Sequence, residues 1–291
     1  MVKERIIVLT KTYPELSRKH GPLVCVAGVN EYKEWRRLYP IPLKIWVDNK
    51  YEDIRFSKWD IIEVEVSEKP PSHDRRFESR RVKEWKNIRI VDHIKSWEAR
   101  LAIIKELLDP DIETIIESNR SLGVIKPRKV QNFLIKPRQR LKDEAEKQVL
   151  EKMEEADSTI TLLEYLEIGD KYLLPEVKEP DVKVEKLPWI GYTFYCQNPH
   201  CKGHEMMVID WEAQELFRRY KTLPPVKEKL FTWMLKDRDL YFIIGNTWKW
   251  KKSFMIIGLF YPPKGTYAIM PLWSFFKKKP RQRTLFNNST Q

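Results

Sequence analysis

Residues 192–212 read YTFYCQNPHCKGHEMMVIDWE, and this stretch decides how the second half of the chain is organised. Cys196, Cys201 and His204 fall within nine residues of one another. Thiolate and imidazole are the donors a tetrahedral zinc ion prefers. Asn198, Pro199 and Gly203 between them are turn formers, so the peptide folds back and aims its donors inward. Strand-type residues flank the turn, Tyr192 to Tyr195 before it and Met206 to Ile209 after it. The expectation is a two-stranded ribbon tipped by a metal knuckle, with zinc as a structural cofactor held by Cys196, Cys201 and His204. The spacing Cys-x4-Cys-x2-His leaves the fourth ligand open among His200, Asp210, Cys25 and His73. A Cys196–Cys201 disulfide and two plainly buried thiols are the alternatives.

Working outward, the segment after the knuckle reads as a helix over 211–220 with Asp210 as its N-cap. A second helix over 225–236 is led in by Pro224 and Pro225. A long hairpin follows, pairing 240–245 with 254–261. Its loop carries Trp248, Lys249, Trp250, Lys251 and Lys252, which interleave flat rings with cations as in surfaces that stack nucleobases. Residues 248 and 250 share strand parity, so both indoles are expected to face the same way.

Toward the N-terminus, short strands are expected at 6–9, 23–29, 43–47 and 60–66, punctuated by Tyr13-Pro14, Gly21-Pro22 and Tyr39-Pro40-Ile41-Pro42. Such spacing suggests a small barrel or sandwich. Residues 72–81, SHDRRFESRR, pack Arg75, Arg76, Arg80 and Arg81 around Phe77. Arginine forks fit phosphate oxygens, so these four are candidate nucleic-acid ligands. A sharper reading of the same stretch makes His73, Asp74 and Glu78 acid–base or metal groups, and a blander one makes it a solvated loop. Apolar residues at three- and four-residue steps predict a helix over 94–108 and a short one over 111–116. A strand pair is expected at 123–125 and 130–135, then a solvated helix over 139–157. The proline-bearing stretch 158–188 reads as a linker.

The fold class is therefore α+β. A β-rich domain with a helical extension is expected at 1–157, a linker at 158–188, a knuckle and hairpin domain at 189–276, and a basic tail at 277–291. With 54 Lys and Arg against 42 Asp and Glu over 291 residues, the net charge is +12, which favours a polyanionic partner. Hydrophobic content of 42% is enough for a packed core. Nine glycines, three cysteines and 33% charged residues follow a thermophile tendency. The N-terminal apolar run is too short for a signal peptide, and the longest apolar run, 254–261, is far below the roughly 18 residues of a membrane span. A cytoplasmic protein is expected. No Gly-x-Gly-x-x-Gly, Gly-x4-Gly-Lys-Ser/Thr or Gly-x-Ser-x-Gly pattern occurs, so nucleotide hydrolysis and serine-hydrolase chemistry have no motif here.

In the tail, Arg281-Gln282-Arg283-Thr284-Leu285-Phe286 resembles the sliding-clamp-binding peptides of replication and repair proteins. Gln282, Leu285 and Phe286 match the first half of that pattern, which implies a clamp as partner. Asn288 stands where the archaeal form of the peptide has an aromatic residue. The stretches Lys11-Thr12-Tyr13-Pro14 and Trp35-Arg36-Arg37-Leu38-Tyr39-Pro40, with the knuckle and the following Asp210-Trp211-Glu212, resemble a group of uncharacterised prokaryotic proteins of defence and mobile-element neighbourhoods. The functional expectation is a nucleic-acid-binding accessory protein of a repair, replication or defence complex, acting on DNA. The alternatives are a metal-dependent nuclease using Asp74 and Glu78, and a subunit that meets nucleic acid only when assembled with a protein partner.

Overall fold

A computed structural model describes residues 1–17, 21–72, 74–136, 188–248 and 250–268. The expected helix at 139–157, nearly all of the linker, the basic tail with Gln282, Leu285 and Phe286, and both His73 and Lys249 lie outside the described residues.

The fold is α+β and is built on two open sheets. The first contains β1 (Val2–Lys11), β2 (Glu15–Ser17), β3 (Gly21–Asn30), β4 (Trp35–Pro42), β5 (Asp60–Val66), β6 (Ser79–Arg81) and β7 (Arg89–His93), in the order β6-β4-β3-β1-β5-β7 with β2 added beside β3. The second contains β8 (Leu108–Asp109), β9 (Leu122–Ile125), β10 (Lys129–Lys136), β11 (Trp189–Tyr195), β12 (His204–Val208), β13 (Tyr241–Asn246) and β14 (Phe254–Phe260), in the order β10-β11-β12-β14-β13-β9-β8. The helices are α1 (Lys44–Val47), α2 (Trp97–Glu106), α3 (Ile112–Glu117), α4 (Trp211–Tyr220) and α5 (Leu223–Lys227). The last continues through a π-helical turn, Glu228–Trp233, into α6 (Met234–Asp237). Among the described residues no helix is long and apolar enough to cross a membrane.

Side chains alternate across a strand, and both faces of the first sheet are apolar. Ile6, Val8, Val24, Val26, Ile62 and Val64 cover one face and pack on Phe56 and Trp85. Ile7, Leu9, Ala27, Val29 and Ile61 cover the other, where they meet Val124, Ile243 and Ile257 of the second sheet. The opposite face of the second sheet, with Tyr192, Phe194, Val208, Phe242 and Ile256, packs under α4 to α6 through Ala213, Val226, Leu230 and Met234. The expected N-terminal barrel or sandwich thus takes a different form: the first sheet stays open, and its partner layer is the second sheet. The layers approach most closely where β1 crosses β14. There the Thr10 hydroxyl donates to the Ile257 carbonyl, and a Cβ at Gly258 would lie 2.7 Å from Thr10 Cβ.

The hairpin β13–β14, the ribbon β11–β12 and helices α2, α3 and α4 follow the sequence periodicity. Two segments differ. Residues 43–47 alternate like a strand but form the one-turn helix α1, which buries Ile45 as the chain turns off the end of β4. Residues 35–42, with their two prolines, form the buried strand β4. The register against β3 shifts between Val24↔Ile41 and Val26↔Leu38, so Tyr39 and Pro40 sit in an irregularity where the missing proline N–H costs no ladder bond. Strands β9 and β10, expected with the N-terminal domain, belong to the second sheet, because Leu122–Ile125 pair with β13 and Lys129–Lys136 pair with β11.

Candidate metal centre and nucleic-acid interface

Cys196 directly follows β11, Cys201 lies in the turn and His204 opens β12, where it is paired opposite Phe194. Their donor atoms all lie within 4.8 Å of one another, close enough to hold a metal ion. Cys201 Sγ and His204 Nε2 are 3.2 Å apart. The turn is preset by its own polar groups. The Asn198 side-chain oxygen accepts from the His200 N–H at 2.9 Å, and its carbonyl accepts from the Cys201 N–H at 3.1 Å. Gly203 has φ +100°, a conformation that suits glycine, and its N–H points at Cys201 Sγ. The Asn198 side-chain N–H donates to Asp111, the N-cap of α3, at 3.1 Å and ties the knuckle to that helix. Burial, helped by the neighbouring Cys201 and opposed by the Asn198 amide, pushes the Cys196 thiol up to about 11. Burial pushes His204 down against the pull of Glu113 and Asp111, which favours the neutral imidazole that ligates metals.

The three cysteines are free thiols, so the Cys196–Cys201 disulfide is not formed. Two of the fourth-ligand candidates lie elsewhere. Cys25 sits in the core of the first sheet, and Asp210 is bonded to Lys58. His200 is exposed, and among the described residues no further His, Cys, Asp or Glu joins the cluster.

The arginine-rich stretch folds into the seam between the sheets. Asp74 is fully buried and accepts from Arg76 Nε at 2.8 Å, Arg76 Nη2 at 2.6 Å and the Ser79 hydroxyl at 2.7 Å. Burial alone would raise its carboxyl, but these hydrogen bonds and the charges of Arg76 and Arg37 hold it below the usual carboxylate range. Glu78, also fully buried, accepts from the Ser121 N–H at 2.6 Å and the Ser121 hydroxyl at 3.1 Å. Glu78 therefore ties the turn to Ser121 beside β9 while Asp74 braces Arg76, and the reading of Asp74 and Glu78 as catalytic or metal groups is corrected: both are fully buried and engaged by these donors. Arg76 is likewise withdrawn from the phosphate-binding set, since its fork is engaged by Asp74 and its Nη1 donates to the Asn246 carbonyl at 2.5 Å. Arg75 is exposed, and Arg80 and Arg81 are half-buried; Arg80 donates to the Phe77 and Ser79 carbonyls. Phe77 is 45% exposed at the apex.

Asn246 is the last residue of β13, so its bond to Arg76 sets the tryptophan loop beside the arginine turn. The Asn246 side chain closes that loop by donating to the Lys251 carbonyl at 2.6 Å. Trp250 is 63% exposed, whereas Trp248 is half-buried with Lys251 Nζ 4.5 Å from its ring. The parity expectation fails here because Trp248 and Trp250 lie outside strands β13 and β14, and alternation holds only in extended backbone. Lys251 and Lys252 are exposed.

Sequence reasoning missed the buried charges at the other end of the molecule. Asp210 does cap α4, accepting from the Ala213 N–H. It also accepts from Lys58 Nζ at 2.5 Å and from the Leu259 N–H at 2.8 Å. Burial works against the Lys58 ammonium, but Asp210 and Glu212 outweigh it and raise its pKa. Lys11 lies 4.9 Å and 5.0 Å from the ring centroids of Trp46 and Trp211, and burial lowers its pKa to about 8. No local pattern marks these residues, because each partner comes from a distant segment.

Residues 112–289 match a family described as a domain of unknown function, DUF8757, and residues 2–106 match a second, DUF8758. The chain belongs to the DUF8757 family. The two matches divide between α2 and α3, close to where the chain passes from the first sheet to the second. No curated protein and no solved structure matches the chain.

Proposed function

We propose that this member of the DUF8757 family binds nucleic acid, DNA in the first instance, where the arginine turn and the tryptophan hairpin meet. The observation that carries the reading is the Arg76–Asn246 hydrogen bond. It joins two loops far apart in sequence, one presenting Phe77, Arg75 and Arg80, the other Trp250, Lys251 and Lys252. An indole as exposed as that of Trp250, beside cations on a chain of net charge +12, suits a partner that is both flat and anionic. Arg81 and Lys249 extend the basic set on sequence grounds. The knuckle, on the same reading, holds a structural zinc, because two thiolates and an imidazole are that ion's preferred donors. The tail peptide around Gln282, Leu285 and Phe286 supplies the tether to a clamp or another partner protein of a cytoplasmic assembly.

The test is fluorescence anisotropy with labelled single- and double-stranded DNA across a salt series. Stacking on one ring contributes about 1–3 kcal/mol, so Trp250→Ala is expected to weaken binding by roughly 5- to 150-fold. Replacing Lys251 and Lys252 together by alanine is expected to flatten the slope of log affinity against log salt by up to about 2, near one for each phosphate left without its lysine. An isotherm that does not respond to salt, or a Trp250→Ala protein that binds as the parent does, refutes the proposal.

A further inference from the structure

A second cluster lies at the far end of β14 from the tryptophan loop. His93, the last residue of β7, places Nδ1 2.6 Å from Asp60 Oδ1, while its Nε2 is 3.1 Å from Arg100 Nη2. A guanidinium only donates, so Nε2 accepts and the ring proton sits on Nδ1, facing Asp60. A carboxylate that fixes this tautomer and leaves the outer nitrogen as a base is the arrangement of general-base histidines. The His93 side chain is 37% exposed and that of Asp60 10%. The ring is thus partly exposed with Nε2 covered by Arg100, and the orienting carboxylate is the more deeply buried of the pair.

The surroundings hold this pair in place. Arg100 donates through Nε to the Ile94 carbonyl at 2.8 Å, and its guanidinium lies 5.3 Å from the ring centroids of both Trp59 and Trp97. Trp59, between Lys58 and Asp60, has φ +72°, which a bulky residue adopts only when its surroundings impose it. Its N–H donates to the Val8 carbonyl at 2.6 Å, and its carbonyl accepts from the Ile94 N–H at 2.9 Å. Lys58 on one side is bonded to Asp210 and Glu212 from α4. Strands β5 and β7 and helix α2 therefore converge on one histidine, and α4 holds the neighbouring Lys58.

We infer that Asp60, His93 and Arg100 form an acid–base centre that cleaves RNA by attack of the ribose 2′-hydroxyl on the adjacent phosphate. The set offers one base and one anion-binding fork, and a ribose hydroxyl supplies the nucleophile that the set itself lacks. Arg100 turns its fork from Nε2 to the non-bridging phosphate oxygens, which frees the base. His93 Nε2 takes the 2′-hydroxyl proton as the 2′-oxygen bonds to phosphorus. The bond from phosphorus to the 5′-oxygen breaks, and that oxygen takes a proton from water. The hydroxide left behind takes the proton from His93. The products are a 2′,3′-cyclic phosphate and a 5′-hydroxyl. The inference rests on the nucleic-acid reading above. The seven residues of β14 span about 20 Å between the tryptophan loop and Phe260, whose ring packs on Trp59 beside Asp60, and this is the distance the RNA has to bridge.

The test uses the full chain with labelled RNA and DNA of one sequence, without added metal ions, and scores both binding and cleavage. Expected are RNA fragments ending in a cyclic phosphate, intact DNA, and a rate at least about 100-fold lower for His93→Gln at unchanged RNA affinity and thermal midpoint. His93→Ala is expected to regain activity with added imidazole, which repairs a missing base and not a packing defect. RNA bound but left whole, DNA cut as fast as RNA, or His93→Gln cutting at the parent rate overturns this inference alone. Failure to bind either polymer overturns the nucleic-acid reading together with it.

Discussion

Arg76 donates a 2.5 Å hydrogen bond to the backbone carbonyl of Asn246, which lies 170 residues further along the chain. The same guanidinium grips Asp74 with two more N–H groups. One buried side chain thus fixes its own turn and ties that turn to the last residue of β13, across the seam between the sheets.

Breaking this node is expected to be costly. Removing one partner of a buried pair leaves the other desolvated and unpaired, at about 3–5 kcal/mol. Arg76→Gln and Asp74→Asn should each lower stability by an amount of that order in urea unfolding. The double variant should lose less than the sum, because the penalty is shared. Asp74 also sets a pH dependence. Its folded pKa lies below the ordinary value of 3.8, so its contribution is complete above that value. It is lost as pH falls through the folded pKa, and Asp74→Asn should abolish that part of acid destabilisation.

Metal content is directly measurable. One ion per chain is expected in the purified protein by inductively coupled plasma mass spectrometry, and none in Cys196→Ser or Cys201→Ser. Chelation should lower the thermal midpoint of the parent and leave these variants where they are, since metal binding and local folding are linked. A parent protein without metal under metal-replete expression removes the zinc assignment. It leaves the ribbon β11–β12 unaffected, since that rests on pairing and packing.

Lys11 makes the opposite pH signature to Asp74. Burial lowers its folded pKa from 10.5 to about 8, so between these values the unfolded chain binds more protons and stability rises with pH. The displacement corresponds to about 3 kcal/mol as a ceiling, because the indoles of Trp46 and Trp211 favour the cation and offset part of it. Lys11→Met should therefore be most favourable relative to the parent near pH 7. The difference should shrink as pH rises from about 8 toward 10.5, as read from urea midpoints across that range. A difference that does not vary with pH would show that Lys11 titrates alike in both states.

By itself the sequence determined what depends on neighbours in the chain. Turn formers between strand-type runs mark the β11–β12 ribbon, and ligand-type side chains at Cys196, Cys201 and His204 mark its tip. Alternation marks the hairpin β13–β14, and apolar residues at helical spacing mark α2 and α4. Each of these signals is local, because strand alternation, helical pitch and turn chemistry act within a few residues. The tertiary structure alone decided which charges are sites and which are struts. Arg75 and Arg76 are adjacent and chemically identical, yet one is exposed and the other is buried against Asp74 and Asn246. It also decided that β9 and β10 leave the N-terminal half for the second sheet, that a strand with two prolines is buried at 35–42, and that His93 meets Asp60 and Arg100. A charge is stabilised in a protein interior only by partners placed around it, and those partners are brought by packing of segments the local pattern cannot connect.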